Sequence, residues 1–446
     1  LQCCLTLNEK AKDIPCPAQF EDTRIHEILR KVKMPPRGGR AEKQSFILQN
    51  TKFLELKAAR DRIDGISNDI IEEVASLYVG SKVPAFLAKW LTPEWESAFE
   101  QSFSKALGDM ATDKTPGALW NSLGSDNGTV LGSHPELVLE QTRQLCEKCL
   151  KDDFDRLTAA DMFVRTGVAY KVFVKSEPHS IAKLDEGRQR LVFASPLHMT
   201  ILERMIFGKQ NDTDIDNWNV VPSKPGLTMD RDGAWALRGN VEPFVSPVST
   251  DQSGWDWHVP DWLMFADVEV RRCLLEGPEL EISSWHRIAR NMTHLLARKT
   301  VLFSDGTFYV QSDDNAGVWP SGSYRTSGTN SRMRVLIRRL ACGNSNIITM
   351  GDDAVEDDVE NIQTCYLEYG FVLKPPEPVT SDRFEFCSKF FELGVVRPVS
   401  TSVDKMVAKL IRSKSQQAQD AIWRELENAP ERSELEELGL FGQQWF

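Results

Sequence analysis

No stretch of this 446-residue chain comes near the roughly 18 consecutive apolar residues that a transmembrane helix requires. Its first residues, LQCCLTLNEK, also lack the charged start and long apolar core of a secretory signal. Both absences point to a cytosolic chain with no intrinsic transmembrane segment. An initiating Met is missing as well, so Leu1 arises by cleavage, by frameshifting or by design of the expressed chain. The nine cysteines are odd in number and irregular in spacing, which fits reduced thiols rather than a disulfide framework. Cys146 and Cys149 form a lone CxxC in QLCEKCL, and without a second pair they read as helix neighbours rather than zinc ligands. Internal repeats and low-complexity tracts are absent too. What remains is a globular composition, 41% hydrophobic and 26% charged, long enough for several subdomains and a large core.

Net positive charge is also lacking: the formal value is -12, which argues against a phosphate-rich partner. The distribution argues the other way. RTSGTNSRMRVLIRRL, residues 325 to 340, carries five arginines and no acid, and Lys171, Lys175, Lys183, Arg188 and Arg190 cluster between 171 and 190. Acids gather instead in EDDVE and in RELENAPERSELEELG. Basic surfaces lining a channel, with an acidic exterior, are the expectation.

Along the chain, KMPPRGGR (33–40) reads as a basic loop, and AEKQSFILQNTKFLELKAARDRI as helix. KTPGALWNSLGSDNGTVLG reads as a glycine-rich loop. YKVFVKSEP and RQRLVFAS read as strands around a turn at Gly187, and KTVLFSDGTFYV as a hairpin turning at Asp305-Gly306. NSRMRVLIRRLAC reads as a helix with an apolar stripe of Met333, Leu336, Ile337 and Leu340. Beyond about 397 the chain reads as mostly helical, with DAIWRELENA amphipathic.

The stretch IITMGDDAVE, 347 to 356, places two adjacent carboxylates, Asp352 and Asp353, behind a glycine and between apolar runs. β-Branched Ile347, Ile348 and Thr349 enter and Val355 leaves, the pattern of a hairpin with the acids at its tip. Like charges held side by side need a cation, and a hard divalent ion bound by oxygen serves; a solvated acidic turn is the plainer alternative. Upstream, in PVSTDQSGWDW, a short strand from Val248 ends at Asp251, with Asp256 five positions on, and Pro247 fits only a strand start or an edge. A carboxylate from each of two strands could hold two magnesium ions for phosphoryl transfer. Between these stretches, PSGSYRTSGTNSRMR is a small-residue loop entering a helix, suited to a phosphate or ribose, or simply to capping the helix.

In chain order, DQSGWD, SGSYRTSGTN and MGDD resemble motifs A, B and C of viral RNA-dependent RNA polymerases. VKSEPHSIAKLDEGRQRLVFASPL resembles their motif F and KTPG their template-guiding motif G, while YGFVLKPPEP and FEFCSKFFELG are similar to motifs D and E. The resemblance runs from 114 to 394, and the wording of motifs A and B is closest to the sobemovirus and sobemo-like polymerases of positive-strand RNA viruses.

That resemblance implies an α+β fold, a closed right hand of fingers, palm and thumb with an antiparallel palm sheet flanked by helices. It divides the chain into an N-terminal extension and fingers (1–243), palm with motif A (244–275), a fingers insertion (276–319), palm with motifs B to E (320–396) and thumb (397–446). Asp251 and Asp352 would bind both of two Mg2+ ions, for which Mn2+ could substitute, with Asp353 a weaker ligand. Asp256 and Asn330 would read the ribose 2′-hydroxyl, with Ser321 and Thr326 steadying them. Lys175, Arg188 and Arg190 would neutralise the triphosphate, with Glu177 pairing to one of these cations. Thr115 and Gly117 would contact template, and Cys387 and Lys389 the primer strand. Lys374 is the nearby candidate for the general acid of motif D, because Pro378 stands where one alignment places that lysine. The segment after motif E is short, implying a small thumb or a chain that ends early. Implied partners are template and nascent RNA, ribonucleoside triphosphates, a genome-linked protein primer and other viral replication proteins. The implied location is host cytoplasm, at membrane-associated replication complexes. Reverse transcription, terminal transfer and a catalytically silent RNA-binding subunit are the competing readings.

Overall fold

The computed structural model describes residues 10–21, 23–85, 95–380, 382–394, 397–413 and 415–440; the opening LQCCLTLNE lies outside them. The fold is α+β. Its centre grows from the β-branched run at 347. Ile347–Met350 pairs antiparallel with Asp353–Asp357, Met350 opposite Asp353, leaving Gly351 and Asp352 as the two-residue turn. Pro247–Thr250 lies on the other side of Asp353–Asp357, and Glu377–Pro378 closes the edge. Both prolines obey the ladder's demand for N–H donors: Pro247 begins its strand and Pro378 sits in the edge strand.

Helix Thr326–Cys342 packs on this sheet, and helix Asp261–Cys273 packs on that helix. Met333, Leu336 and Ile337 are fully buried in one cluster with Trp255, Leu263, Trp319, Ala354, Tyr366 and Phe371, and Leu340 packs at its border. A second sheet joins Tyr170–Val174 to Leu191–Ala194 antiparallel and to Thr300–Leu302 parallel, with the hairpin strand Phe308–Val310 outermost. Gly187 and Gly306 occupy the expected turns. Helix Gly39–Glu55 contacts this sheet, and Phe46 meets Phe193, Trp257, Phe303 and Tyr309 edge-on or tilted.

Packing crosses the linear grouping read from motif order. Ile14, Ile25, Ile28, Val32 and Met34 share a core with Val407, Leu410, Leu426 and Leu435 of the C-terminal helices. Val32–Met34 also pairs with His179–Ser180. The segment before residue 35 therefore ties the motif F region to the C-terminal helices, a long-range contact that no local pattern announces. Helices Val403–Arg412, Gln416–Leu426 and Arg432–Glu437 fill the end of the described chain.

Two sequence expectations need correction. Part of the glycine-rich loop is helix Asn127–Ser133, begun by the Asp126 side chain accepting from Thr129 N at 2.8 Å. More consequentially, the arginines of 325–340 form no basic surface. Arg325, Arg332, Arg334, Arg338 and Arg339 are all buried, facing Glu203, Asp214, Asp267, Glu356 and Glu73. Those acids come from other elements, so a charge run that reads as a solvated face is one side of an internal ion-pair network. Cys146 and Cys149 are buried on helix Pro135–Lys151, and all seven described cysteines are free thiols. Among the described residues no helix is long and apolar enough to cross a membrane.

Candidate active site

The register Ala354 opposite Thr250 brings the end of one strand to the tip of the neighbouring hairpin. Asp251 leaves the first strand where Asp352 and Asp353 turn the second. Their proximity shows in their acidity. Asp352 is pushed up by burial and by Asp251, and Asp353 is pushed up to about 8 by burial, Asp352 and Asp251. Asp256, in the short helix Trp255–His258, is pushed up to about 7 by burial and by Asp352. Arg190 acts oppositely on both Asp256 and Asp352, so it lies within electrostatic reach of the cluster.

The Asp251 carboxylate is turned to the Lys374 ammonium, and Lys374 N donates to Asp251 O at 3.0 Å. Ser253 N donates to Val372 O at 2.8 Å and Gln252 bridges Leu373, so the YGFVLK segment runs beside the residues after Asp251. Among the described residues, no three His, Cys, Asp or Glu side chains converge closely enough to hold a metal ion as they stand. The hard-oxygen donors suit a divalent cation, and Lys374 supplies Asp251's counter-charge in this arrangement.

Helix Thr326–Cys342 carries the recognition side chains. Asn330 Nδ2 donates to Asp256 Oδ1 at 3.2 Å, while Asn330 Oδ1 and Ser321 Oγ are buried without a hydrogen-bond partner among the described residues. Thr326 Oγ1 donates to Ser323 O at 2.7 Å and accepts from Trp319 Nε1 at 3.0 Å, fixing the loop before the helix. That loop is pinned to the second sheet at Gly322, whose N donates to Phe193 O at 3.0 Å. A Cβ there would sit 2.2 Å from the same oxygen, so only glycine fits. Ser331, whose role the sequence did not suggest, accepts from Gly351 N at 2.9 Å and from Thr349 Oγ1 at 3.0 Å. It anchors the acidic turn to the helix.

On the opposite flank Glu177 pairs with both Lys175 (3.1 Å) and Arg190 (3.2 Å), and Arg188 pairs with Glu186. Lys405 and Lys409 of helix Val403–Arg412, also missed, complete a basic rim: Lys405 lowers the proton affinity of Lys183 and His179, and Lys409 favours the ionised form of Glu177. Their approach depends on the C-terminal helix folding back, which sequence spacing does not encode. The Thr115 hydroxyl accepts from Gly117 N at 3.4 Å and lies 3.2 Å from the Asn121 amide. Gly117 has φ 84° and a Cβ there would stand 2.6 Å from Ser195 O, so the KTPG loop lies tight against the start of helix Leu197–Asp216. Cys387 and Ser388, with φ 55° and 56°, form the turn of hairpin Arg383–Phe386/Lys389–Glu392. Positive φ at two non-glycine residues is strained. Burial and the nearby Asp353 raise the Cys387 thiol well above its ordinary range. Lys389 is tied to Glu425 at 2.5 Å.

The overall fold is shared with a human picorbirnavirus RNA-dependent RNA polymerase carrying an insertion-loop deletion: TM-score 0.63 over 94% of this chain and 80% of that one, at 13% identity. In sequence the chain is similar to the replicase polyprotein P2AB of Southern cowpea mosaic virus (32% identity over 422 residues, 92% of this chain and 42% of that one). It is also similar to the RNA-directed RNA polymerase of Mushroom bacilliform virus (32% over 311 residues, 65% and 72%). A family profile described as viral RNA-directed RNA-polymerase matches residues 26–234 and 240–414. The chain belongs to this viral RNA-directed RNA polymerase family. It spans 42% and 38% of the two sobemovirus-type replicase polyproteins it matches.

Proposed function

We propose that this chain catalyses RNA-templated RNA synthesis, joining ribonucleoside triphosphates to an RNA 3′-hydroxyl to replicate a viral positive-strand genome. The observation that carries the reading is the joint placement of Asp251, Asp352 and Asp353 at one end of the sheet, beside an Asp256–Asn330 pair. Family membership and the shared fold support it, and they favour a closed right hand with the fingers, palm and thumb divisions given above. Asp251, Asp352 and Asp353 would hold two Mg2+ or Mn2+ ions, which when bound neutralise the attacking and leaving oxygens of phosphoryl transfer. The raised proton affinities of Asp352 and Asp353 fit this donor set, because clustered carboxylates await positive charge.

The chain's own groups account for the rest. Arg190, Lys175 and Arg188 draw the triphosphate inward along the basic rim. Asn330 Oδ1 and Ser321 Oγ, buried and unpartnered among the described residues, offer acceptors to the ribose hydroxyls. Asp256 holds Asn330 from the other side. Thr115, Gly117, Cys387 and Lys389 border the template and primer paths. A genome-linked protein primer, replication partners and membrane-associated replication sites in host cytoplasm belong to the same proposal. An assay of homopolymeric RNA, with and without primer, with ribonucleotides or deoxyribonucleotides and magnesium, tests it. Incorporation of ribonucleotides on RNA alone supports it, preference for deoxyribonucleotides indicates reverse transcription, and binding without incorporation indicates a silent subunit.

Asn330→Ala and Asp256→Ala are expected to narrow the preference for ribonucleotides over deoxyribonucleotides by about 1 to 3 kcal/mol, since the lost hydrogen bonds serve the one hydroxyl that differs. Incorporation rates for matched sugar pairs measure this, and equal slowing on both sugars would make the pair merely structural. Lys374, beside Asp251, stands where it could donate a proton to departing pyrophosphate. Lys374→Leu is expected to slow single-turnover incorporation by about 10²-fold and to diminish its solvent deuterium isotope effect. An unchanged isotope effect would leave Lys374 as the counter-ion of Asp251 only.

A further inference from the structure

Behind the acidic cluster lies a second, buried group of charges. Glu356, on the strand that begins with Asp353, meets Arg334 at 2.5 Å and Arg338 at 3.0 Å, both from the helix that carries Asn330. Tyr366 Oη donates to Glu356 Oε2 at 2.7 Å. All four side chains are wholly removed from solvent. Thr250, the residue immediately before Asp251, reaches into this group. Its Oγ1 accepts from Arg334 Nη2 at 2.9 Å and donates to Glu356 Oε1 at 2.5 Å. One hydroxyl therefore joins the strand of Asp251, the strand of Asp353 and the helix of Asn330. Ser331 makes the matching attachment at the Gly351 turn.

We infer that Thr250 is a positioning residue for Asp251, its hydroxyl being the link through which the Asn330 helix fixes the two carboxylate strands against each other. The inference rests on the polymerase reading proposed above and assigns the spacing of its carboxylates to a side chain that touches neither nucleotide nor metal. The ladder between the two carboxylate strands ends at the Thr250–Ala354 pair, one residue short of both Asp251 and Asp353, so backbone pairing does not itself hold these two carboxylates together. A charge-assisted hydrogen bond in a buried site supplies that hold. Outer groups of this kind commonly govern metal affinity or activity by about 10- to 100-fold.

Thr250→Val and Thr250→Ser separate the hydroxyl from the shape. Valine leaves Glu356 paired with both arginines and Tyr366, so no buried charge is orphaned. The expected result is that Thr250→Val lowers kcat for single-nucleotide incorporation about 10- to 100-fold with KM changed less than about twofold. It should also weaken Mn2+ binding, measured by calorimetry on the free protein, by about tenfold, while thermal stability and RNA affinity hold and Thr250→Ser restores both readouts. Wild-type kcat and Mn2+ affinity in Thr250→Val would overturn the inference, as would losses that follow thermal stability and are not restored by serine. If the wild-type protein incorporates no nucleotide, the polymerase reading fails, and the Mn2+ affinities of the two variants still decide whether Thr250 positions the carboxylates.

Discussion

Asp352→Asn is expected to abolish nearly all RNA synthesis while leaving the protein folded and RNA-bound. The change keeps the shape of the turn and removes one charge from the cluster that, in the proposed reaction, neutralises a transferring phosphoryl group. Loss of several kcal/mol of transition-state stabilisation corresponds to roughly three or more decades in rate. Stability should move the other way or not at all. Burial and Asp251 raise the proton affinity of Asp352, so its ionised form is less favoured in the folded protein than in the unfolded chain. Folding holds this group above its unfolded pKa, and the resulting penalty is present as pH rises past that unfolded value. A neutral amide removes the penalty. Single-turnover extension, RNA binding and a thermal melt on one preparation test the pairing, and near-normal extension in magnesium would sink the metal assignment.

The same opposition explains what the sequence disclosed and what it hid. The acidic hairpin was legible because a run of β-branched residues and a Gly-Asp turn are local signals, and the matching Asp251 strand was legible from its proline and its abrupt polar end. The α+β class came from the resemblance to viral RNA-dependent RNA polymerases rather than from these segments, and the described residues show it. Strained turns were not legible: Cys387-Ser388 contains no residue that ordinarily favours positive φ, and its geometry is imposed by the hairpin around it. Nor were the buried arginines. Arg332 has its partners at Asp214 and Asp267, and Arg334 at Glu356, acids brought in by other elements. Read in a window, five arginines without an acid look like a surface for RNA. In the fold they pair with buried acids on neighbouring elements, and among the basic groups of 175 to 190 it is Arg190 that acts on Asp256 and Asp352.

That relocation carries the largest stability effect expected in the molecule. Asp267 is fully buried in helix Asp261–Cys273 and accepts from Arg332 Nε at 2.7 Å, Arg271 Nε at 3.0 Å and Thr329 Oγ1 at 2.9 Å. Burial favours its neutral form, but Arg332, Arg271 and Arg325 hold its proton affinity below the ordinary carboxylate range. Asp267→Asn would leave two buried guanidinium groups without the carboxylate that both contact, Arg332 keeping its pair with Asp214. Removing one partner from a buried ion pair costs about 3 to 5 kcal/mol, because the charge left behind cannot regain water. Replacing several members with apolar residues of similar volume can be nearly neutral, so the network's worth lies in register rather than in net attraction. The expected outcome is therefore specific: Asp267→Asn lowers the midpoint of denaturant unfolding by the equivalent of about 3 to 5 kcal/mol. The joint variant Asp267→Leu, Asp214→Leu, Arg332→Met and Arg271→Met, which leaves no member of the group charged, recovers much of the stability but not RNA synthesis, since Thr329 and the following Asn330 lose their fixed placement. Equal unfolding midpoints for Asp267→Asn and the unmodified protein would show that the buried arginines are satisfied without this carboxylate. Full synthesis by the joint variant would show that the helix finds its register from apolar packing alone.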